Sequence, residues 1–135
     1  MKPHDIASRP VHLGLGATAE IEPEFTGEME WYAGYLARHE ADGAEARLVA
    51  MHHFTTSWDM WERHPNGSEV VICTAGTLIL HQEMPDGTEN TVTLNAGQYA
   101  INAPGVWHTA DVNGEATALF ITAGLGTEHR ARYCD

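Results

Sequence analysis

The sequence predicts an all-β fold, a sandwich or a barrel, and three observations support this prediction. After residue 46, runs rich in Val, Ile, Thr and aromatic residues recur at intervals of about 8–12 residues. Each run ends at residues typical of tight turns, such as Pro85-Asp86-Gly87 and Asn113-Gly114. A length of 135 residues, of which 43% are hydrophobic, is enough for one domain with its own core.

The first part of the chain, residues 1–45, differs from the rest because it is acidic and lacks a strand pattern. Within it, residues 30–38 have the spacing of a helix, with Trp31 and Tyr35 near one face. We therefore interpret residues 1–45 as an otherwise irregular N-terminal arm, whose short helix packs on the outside of the main domain.

The main domain, residues 46–126, contains the predicted strands, and turn residues separate each strand from the next. In chain order the strands cover residues 47–56, 58–64, 69–75, 77–84, 89–94, 99–103, 106–112 and 116–123. Short strands at this spacing are typical of a single all-β domain. Residues 127–135 follow as a predicted C-terminal tail.

The charge of the chain argues against several classes of function. Seven Lys and Arg stand against nineteen Asp and Glu, so the net charge is −12 with histidine neutral. Binding to nucleic acid or to an anionic membrane surface needs clustered Lys and Arg, and Lys2 is the one lysine. We therefore expect neither of these partners, nor Schiff-base catalysis through a lysine.

The cytoplasm is the expected compartment. The first residues lack the apolar core of a signal peptide, and the apolar runs are shorter than the ~18 residues of a membrane span. The two cysteines, Cys73 and Cys134, lie outside any CxxC pattern and so offer neither a zinc knuckle nor a redox motif. These features are typical of a soluble protein in a reducing compartment.

Alternation along the predicted second strand indicates one part of a polar site. Because alternate strand residues share a face, Trp58, Met60, Glu62 and His64 point the same way. A Trp and a Met followed by a Glu and a His suit the wall of a barrel with a polar site near its mouth. The turn that follows can reverse the chain and bring Glu69 back beside His64.

The motif Glu62-x-His64-x4-Glu69-x6-Gly76 resembles the first motif of the cupin superfamily, in which HxH is followed by a glutamate and a glycine. Gly97, followed by Pro104-Gly105-Val106-Trp107-His108, resembles the second cupin motif. The two motifs cover residues 62–108, and the strand pattern extends the similarity to about 46–124. The resemblance implies a double-stranded β-helix, the jelly-roll barrel of the cupins.

The same resemblance implies a metal site. Carried over residue by residue, His64, Glu69 and His108 would hold a divalent transition metal such as Fe, Mn, Zn or Ni. Glu62 stands where the family has the first histidine of HxH. Two imidazoles and one carboxylate suit Fe(II), and a further carboxylate suits Mn, Fe or Zn. Glu62 is therefore a candidate ligand, a candidate catalytic base, or a group that orients a histidine.

A substrate pocket is expected beside this site. Trp58 and Met60 share the face of Glu62, and Cys73 shares the phase of the other motif carboxylate. Arg47 and Arg63 are the two arginines of the strand region, so a cationic cluster for a phosphorylated or dicarboxylate ligand is not expected. A neutral or aromatic ligand against Trp58 is preferred.

Three classes of function remain open at this level. The first is a metal-dependent enzyme acting on a small organic molecule, with oxygenase, isomerase or lyase chemistry. The alternative is a non-catalytic module that binds or senses a small molecule or a metal, and the third is a structural subunit with a vestigial pocket. A homodimer is expected, because small cupins often associate through their outer strands and N-terminal arms.

Overall fold

The computed structural model describes residues 2–133, which form nine strands, one α-helix and a short 3₁₀ helix. In chain order these elements are β1 (Val11–Gly14), β2 (Thr18–Ile21), α1 (Met29–Arg38), the 3₁₀ helix (Glu40–Glu45), β3 (Arg47–Phe54), β4 (Met60–Arg63), β5 (Glu69–Glu83), β6 (Glu89–Asn95), β7 (Tyr99–Asn102), β8 (Trp107–Thr122) and β9 (Glu128–Ala131). The paired strands of this region are antiparallel. The predicted all-β class is therefore confirmed.

Two long strands, β5 and β8, connect the parts of the barrel. One path through the sheet runs β2-β1-β3-β8-β4-β9, and β5 joins it by pairing with β8. β5 also pairs with β7 along its first part and with β6 along its second part. This arrangement is a jelly roll, as predicted.

Each of these long strands was predicted as two shorter ones. The expected interruptions at Gly76 and at Asn113-Gly114 lie inside continuous strands. Register shifts on both sides of Gly76 mark β-bulges, which bend a strand without ending it. Gly76 has a φ of 71°, and a Cβ there would lie 2.1 Å from the carbonyl oxygen of Glu115. The close approach of the two strands therefore requires glycine at this position.

The prediction that the arm is irregular outside its helix is wrong. β1 and β2 form a hairpin, and β1 pairs with β3, so the sheet already begins within residues 1–45. The predicted tail also contributes a strand, because β9 pairs with β4. All three strands have four residues each, too few for a clear alternation of apolar and polar residues.

Helix α1 begins one residue before its predicted start. Its buried residues Trp31 and Tyr35 pack against Leu48 and Ala50 of β3. Ala50 is the register partner of Phe120, which belongs to the barrel core. The helix therefore covers the core-facing side of β3.

The barrel core is a cluster of small and medium-sized apolar side chains from the long strands and β6. Its buried members are Val71, Cys73, Leu78, Leu94, Ala110, Ala116, Ala118 and Phe120. Cys73 is fully buried and reduced, whereas Cys134 lies outside the described residues. Within residues 2–133, the helical segments are too short and too polar to cross a lipid bilayer.

Candidate metal centre

Strand pairing and one turn bring Glu62, His64, Glu69 and His108 together. Glu62 of β4 is the register partner of His108 on β8. Glu69 opens β5, directly after the turn that follows His64. The backbone N–H of Gly105 donates to the carbonyl oxygen of His64 at 3.0 Å, which ties the end of β4 to the turn before β8.

The four side chains meet at short distances. His64 Nε2 lies 2.9 Å from Glu62 Oε1 and 3.1 Å from Glu69 Oε2. His108 Nε2 lies 3.1 Å from Glu69 Oε1 and 3.7 Å from Glu62 Oε1. One donor atom of each residue lies within 4.8 Å of the other three. The side chain of Glu62 is 29% exposed and the others are almost fully buried, so the cluster faces solvent on the Glu62 side.

Both Nε2 atoms are buried and, among the described residues, lack a hydrogen-bond partner. Carboxylate oxygens lie near His64 Nε2 and His108 Nε2, but off the direction in which each ring nitrogen bonds. A buried polar atom without a partner is costly, so each such atom calls for an explanation. A cation between the two rings and the carboxylates would be a partner for both Nε2 atoms and would explain their burial.

The opposite ring nitrogens fix which tautomer is present. His108 Nδ1 lies 3.2 Å from the carbonyl oxygen of Val106, to which it must donate. His64 Nδ1 lies 2.8 Å from Thr127 Oγ1. The Thr127 hydroxyl donates to the carbonyl oxygen of Gly124 at 2.9 Å, so it accepts from His64. Each neutral imidazole therefore presents a lone pair at Nε2, as a metal ligand does.

A chain of buried amides holds the Glu69 carboxylate. Asn102 Nδ2 donates to Glu69 Oε1 at 3.1 Å, and Thr122 Oγ1 donates to Oε2 at 2.7 Å. Gln82 Nε2 donates to Asn102 Oδ1 at 2.8 Å, and Asn90 Nδ2 donates to Gln82 Oε1 at 3.0 Å. The orientation of the carboxylate is therefore set by strands β5, β6, β7 and β8 together.

The cluster strongly favours positive charge between its carboxylates. Burial lowers the pKa of each histidine, but the two carboxylates outweigh burial and raise the pKa of His64 to about 9 and that of His108 to about 10. Burial raises the pKa of each carboxyl, but the histidines outweigh it, lowering the pKa of Glu69 to about 2 and holding the pKa of Glu62 well below its usual range. Two protons or one cation can supply this charge.

Sequence reasoning missed a histidine that contacts the cluster. His129 of β9 is the second register partner of Glu62, and its Nε2 lies 2.8 Å from Glu62 Oε2. His129 was assigned to a tail because residues 127–135 lack the Val and Ile typical of a strand. Thr127, which fixes the His64 tautomer, was missed for the same reason.

The structure separates the three predicted pocket residues. The Trp58 ring lies 6.3 Å from the His108 ring and packs against the barrel core. Cys73 is a member of that apolar core. Met60 begins β4 and is 36% exposed. Of these three residues, Trp58 is the one that lies beside His108 of the cluster. That the three residues line a substrate pocket stays a prediction.

Aromatic residues extend from Trp58 along the inner side of the barrel. Trp58 lies 5.5 Å from Phe54 and 6.0 Å from Phe120, and His52 lies 5.6 Å from Phe120, measured between ring centroids. We call His52, Phe54, Trp58 and Phe120 the aromatic wall. Burial lowers the pKa of His52, which favours the neutral form of this imidazole.

Phe25, which precedes α1, lies between the aromatic wall and Tyr32 of the helix. The ring centroid of Phe25 lies 5.0 Å from that of His52 and 5.7 Å from that of Tyr32. Burial, followed by the charge of Glu62, raises the pKa of Tyr32 to about 12. The charge of Glu62 in the cluster therefore acts on Tyr32 in the first part of the helix.

A second group of potential ligands, His12, His39 and Asp42, differs from the first. His12 Nδ1 lies 2.7 Å from the Tyr35 hydroxyl, and His12 Nε2 lies 2.6 Å from Asp42 Oδ2. His39 Nε2 lies 3.0 Å from both carboxylate oxygens of Glu22. Because these nitrogens have partners, we interpret the group as a structural network that ties β1 to α1 and the 3₁₀ helix.

No family model matches the sequence, and no characterised protein is similar enough in sequence to be a recognisable relative. Several solved structures are similar in fold. An oxalate oxidase in complex with the substrate analogue glycolate has 15% identity and a TM-score of 0.54, over 61% of this chain and 45% of that chain. An oxalate decarboxylase has 15% identity and a TM-score of 0.54, over 72% of this chain and 26% of that chain. A cupin-2 domain protein from Shewanella frigidimarina has 22% identity and a TM-score of 0.48, over 56% and 69%.

The chain thus spans less than half of the oxalate oxidase and about a quarter of the oxalate decarboxylase. At such identities the similarity establishes the fold alone. Both enzymes are members of the cupin superfamily. The similarity to these two enzymes shows that the chain has the cupin fold.

Proposed function

We propose that Glu62, His64, Glu69 and His108 bind one divalent transition-metal ion. The observation that carries this proposal is the pair of buried Nε2 atoms that lack hydrogen-bond partners among the described residues and face two carboxylates. Burying carboxylates without a compensating cation is costly. Two imidazoles and two carboxylates suit Fe, Mn or Zn, and Ni is a further candidate.

We propose further that the protein is a metal-dependent enzyme acting on a small organic molecule inside the barrel, with oxygenase, isomerase or lyase chemistry. A bound metal would supply Lewis-acid chemistry, or redox chemistry if it is iron or manganese. Glu62 is the partly exposed member of the set, and His129 holds its second oxygen. We propose that Glu62 completes the ligand set or takes a proton from a molecule bound on that side.

The surroundings favour a neutral or aromatic molecule. The aromatic wall offers apolar ring faces next to His108. Arg63 stacks on Trp107 and pairs with Glu128, so it is not free to neutralise an anion at the cluster. We therefore propose a neutral substrate for this chain rather than the oxalate named for the two similar enzymes.

Metal content after reconstitution tests the first proposal. The protein is loaded in turn with Fe, Mn, Zn, Ni and Cu, desalted, and measured by elemental analysis. We expect one of these metals near one ion per chain in the wild type, and loss of most of it in His108→Ala. His53→Ala, which removes an exposed histidine of β3, is the matched control and should keep the metal.

Wild-type protein that takes up none of the five metals would contradict the metal proposal. Turnover is tested separately, by oxygen uptake and product analysis in a screen of small neutral and aromatic compounds with oxalate included. A loaded protein that binds such compounds without converting them would favour the alternative, a binding or sensing module.

A further inference from the structure

The two carboxylate oxygens of Glu62 have different partners. Oε1 lies 2.9 Å from His64 Nε2 and 3.7 Å from His108 Nε2, so it faces the candidate metal centre. Oε2 lies 2.8 Å from Nε2 of His129. Glu69 differs, because each of its oxygens lies 3.1 Å from a ring nitrogen of the cluster. Glu62 is therefore the carboxylate of the set that is divided between the cluster and a group beside it.

Strand register creates this division. Glu62 on β4 is the register partner of His108 on β8 and of His129 on β9. Register partners lie on the same face of a sheet, so the three side chains form a line across three strands. The exposed fraction of the side chain rises along this line, from 0% for His108 through 29% for Glu62 to 40% for His129. His129 therefore meets the carboxylate from its solvent side, and His108 meets it from the buried side.

The contact between Glu62 and His129 has a fixed direction of donation. A carboxylate that binds a metal is ionised and can only accept hydrogen bonds. Nε2 of His129 must therefore carry a proton and donate to Oε2, and this holds for the neutral ring and for the charged ring alike. A nitrogen that donates in this way has no lone pair for a metal. His129 is thus a partner of Glu62 and not a further ligand.

The second oxygen decides how many coordination positions Glu62 fills on a bound ion. A carboxylate binds a metal through one oxygen or through both, and the second mode takes one more position. Hydrogen bonds to a ligating carboxylate fix its orientation. Oε2 could reach the ion only by giving up its short bond to His129. The bond therefore opposes the two-oxygen mode.

We propose that His129 is a positioning residue that restricts Glu62 to coordination through Oε1 and so keeps a position on the metal open for a small molecule. This inference rests on the proposed metal site and adds a residue that the ligand set does not include. An open position distinguishes a metal centre that can bind a substrate from a closed structural site. The strand that carries His129 would then contribute to substrate access without touching the metal.

Strand β9 is held by contacts that do not involve the His129 ring. Arg63 Nη2 lies 2.9 Å from Glu128 Oε2, which joins β4 to β9. The guanidinium carbon of Arg130 lies 5.1 Å from the ring centroid of Trp61, one position further along the same strand pair. Because the His129 side chain is 40% exposed, its substitution should leave the circular dichroism spectrum as in the wild type.

Two substitutions of equal length test the proposal. His129→Gln keeps an N–H donor at the end of the side chain, whereas His129→Met has nearly the same shape as the glutamine and no such donor. Each variant is loaded with the metal that the elemental analysis identifies, and crystal structures show which Glu62 oxygens bind the ion. We expect Oε1 alone in the wild type and in His129→Gln, and both oxygens in His129→Met. His53→Met, at an exposed histidine of β3, is the matched control and should resemble the wild type.

Calorimetric titration with imidazole, a small neutral metal ligand, measures the open position in solution. The same samples without metal serve as the blank. His129→Met should bind imidazole roughly 10-fold or more weakly than His129→Gln, because the second Glu62 oxygen fills the position. A general loss of structure at β9 would weaken both variants alike, so recovery in the glutamine variant identifies the N–H donor as the cause.

The outcomes separate this inference from the proposed function. A wild-type protein that takes up no metal contradicts the proposed function, and this inference with it. A loaded wild type in which Glu62 binds through both oxygens or through neither, or in which a His129 nitrogen binds the ion, overturns this inference alone. Coordination through one oxygen in His129→Met, or equal imidazole affinity in the two variants, would also overturn it.

Discussion

Glu62 is the residue on which the chemistry of the centre most depends. It stands in register between His108 and His129, and each of its carboxylate oxygens approaches a histidine nitrogen. A histidine at the same position would bring no negative charge. With Glu62 in place, the set carries two carboxylates, which favours a divalent cation over a neutral network.

Glu62→Gln distinguishes a ligand from a proton acceptor. If Glu62 is a metal ligand, we expect the metal dissociation constant to rise severely, because the remaining three ligands do not complete the coordination geometry. If Glu62 is a base, metal stays bound and turnover or ligand binding falls. Metal titration followed by activity measurement separates the two cases. Gln82→Glu cannot serve as a comparison, because Gln82 donates a hydrogen bond to Asn102.

The candidate ligands could be predicted from the sequence, but the residues that orient them could not. Glu62, His64, Glu69 and His108 fall in motifs whose spacing is set by strands and turns. His129 reaches the site on a four-residue strand with few strand-forming side chains, and Thr127 lies in the connection just before it, so no local pattern indicates them. Residues that act across long separations in the chain become visible only once the strand register is known.

At the scale of elements, the connection from β8 to β9 controls the His64 ring. Thr127 Oγ1 accepts from His64 Nδ1 at 2.8 Å and is itself fixed by the carbonyl oxygen of Gly124. On the other side of β4, Arg130 stacks between Trp61 and Trp107, with its guanidinium carbon 5.1 Å and 4.7 Å from the ring centroids. These contacts join Thr127 and β9 to the segments that carry the candidate ligands, so this part of the chain supports the candidate site.

Thr127→Val should weaken metal binding without removing a ligand. The valine has nearly the same shape but cannot accept the hydrogen bond, so the His64 ring loses its fixed tautomer. We expect metal affinity to fall by roughly 10–100-fold, as for other partners of metal ligands, measured by competition with a chelator.

The matched control is Thr117→Val, which breaks an equivalent bond, 2.8 Å long, to the outward-facing His53. Equal effects of the two substitutions would contradict a specific role for Thr127.

At the scale of the whole molecule, the cluster couples stability to pH. The pKa values of His64 and His108 rise from 6.5 to about 9 and 10, so their stabilising contribution is complete below 6.5 and is lost as the pH rises through 9 to 10. The pKa of Glu69 falls from 4.5 to about 2, so its contribution is complete above 4.5 and is lost as the pH falls through 2. The contribution of the cluster to stability without metal should therefore be greatest between 4.5 and 6.5.

Urea unfolding of the metal-free protein at several pH values checks this expectation. The midpoint should fall between pH 6.5 and 10 in the wild type and fall less in His108→Gln, which lacks one of the two titrating rings. Metal affinity should change in the opposite direction, because a metal must displace these protons and their loss becomes easier as the pH rises. An unfolding midpoint that rises over this range would rule out the predicted charge state.

The network of His12, Tyr35 and Asp42 has a consequence for motion. It joins the first strand, the helix and the 3₁₀ helix through two short contacts to one fully buried imidazole. Phe25, which contacts Tyr32 of α1, also lies against His52 of the aromatic wall. Any opening of the helix wide enough to admit a molecule must then disrupt β1 as well, so the backbone amides of the two elements should exchange with deuterated solvent as one cooperative unit.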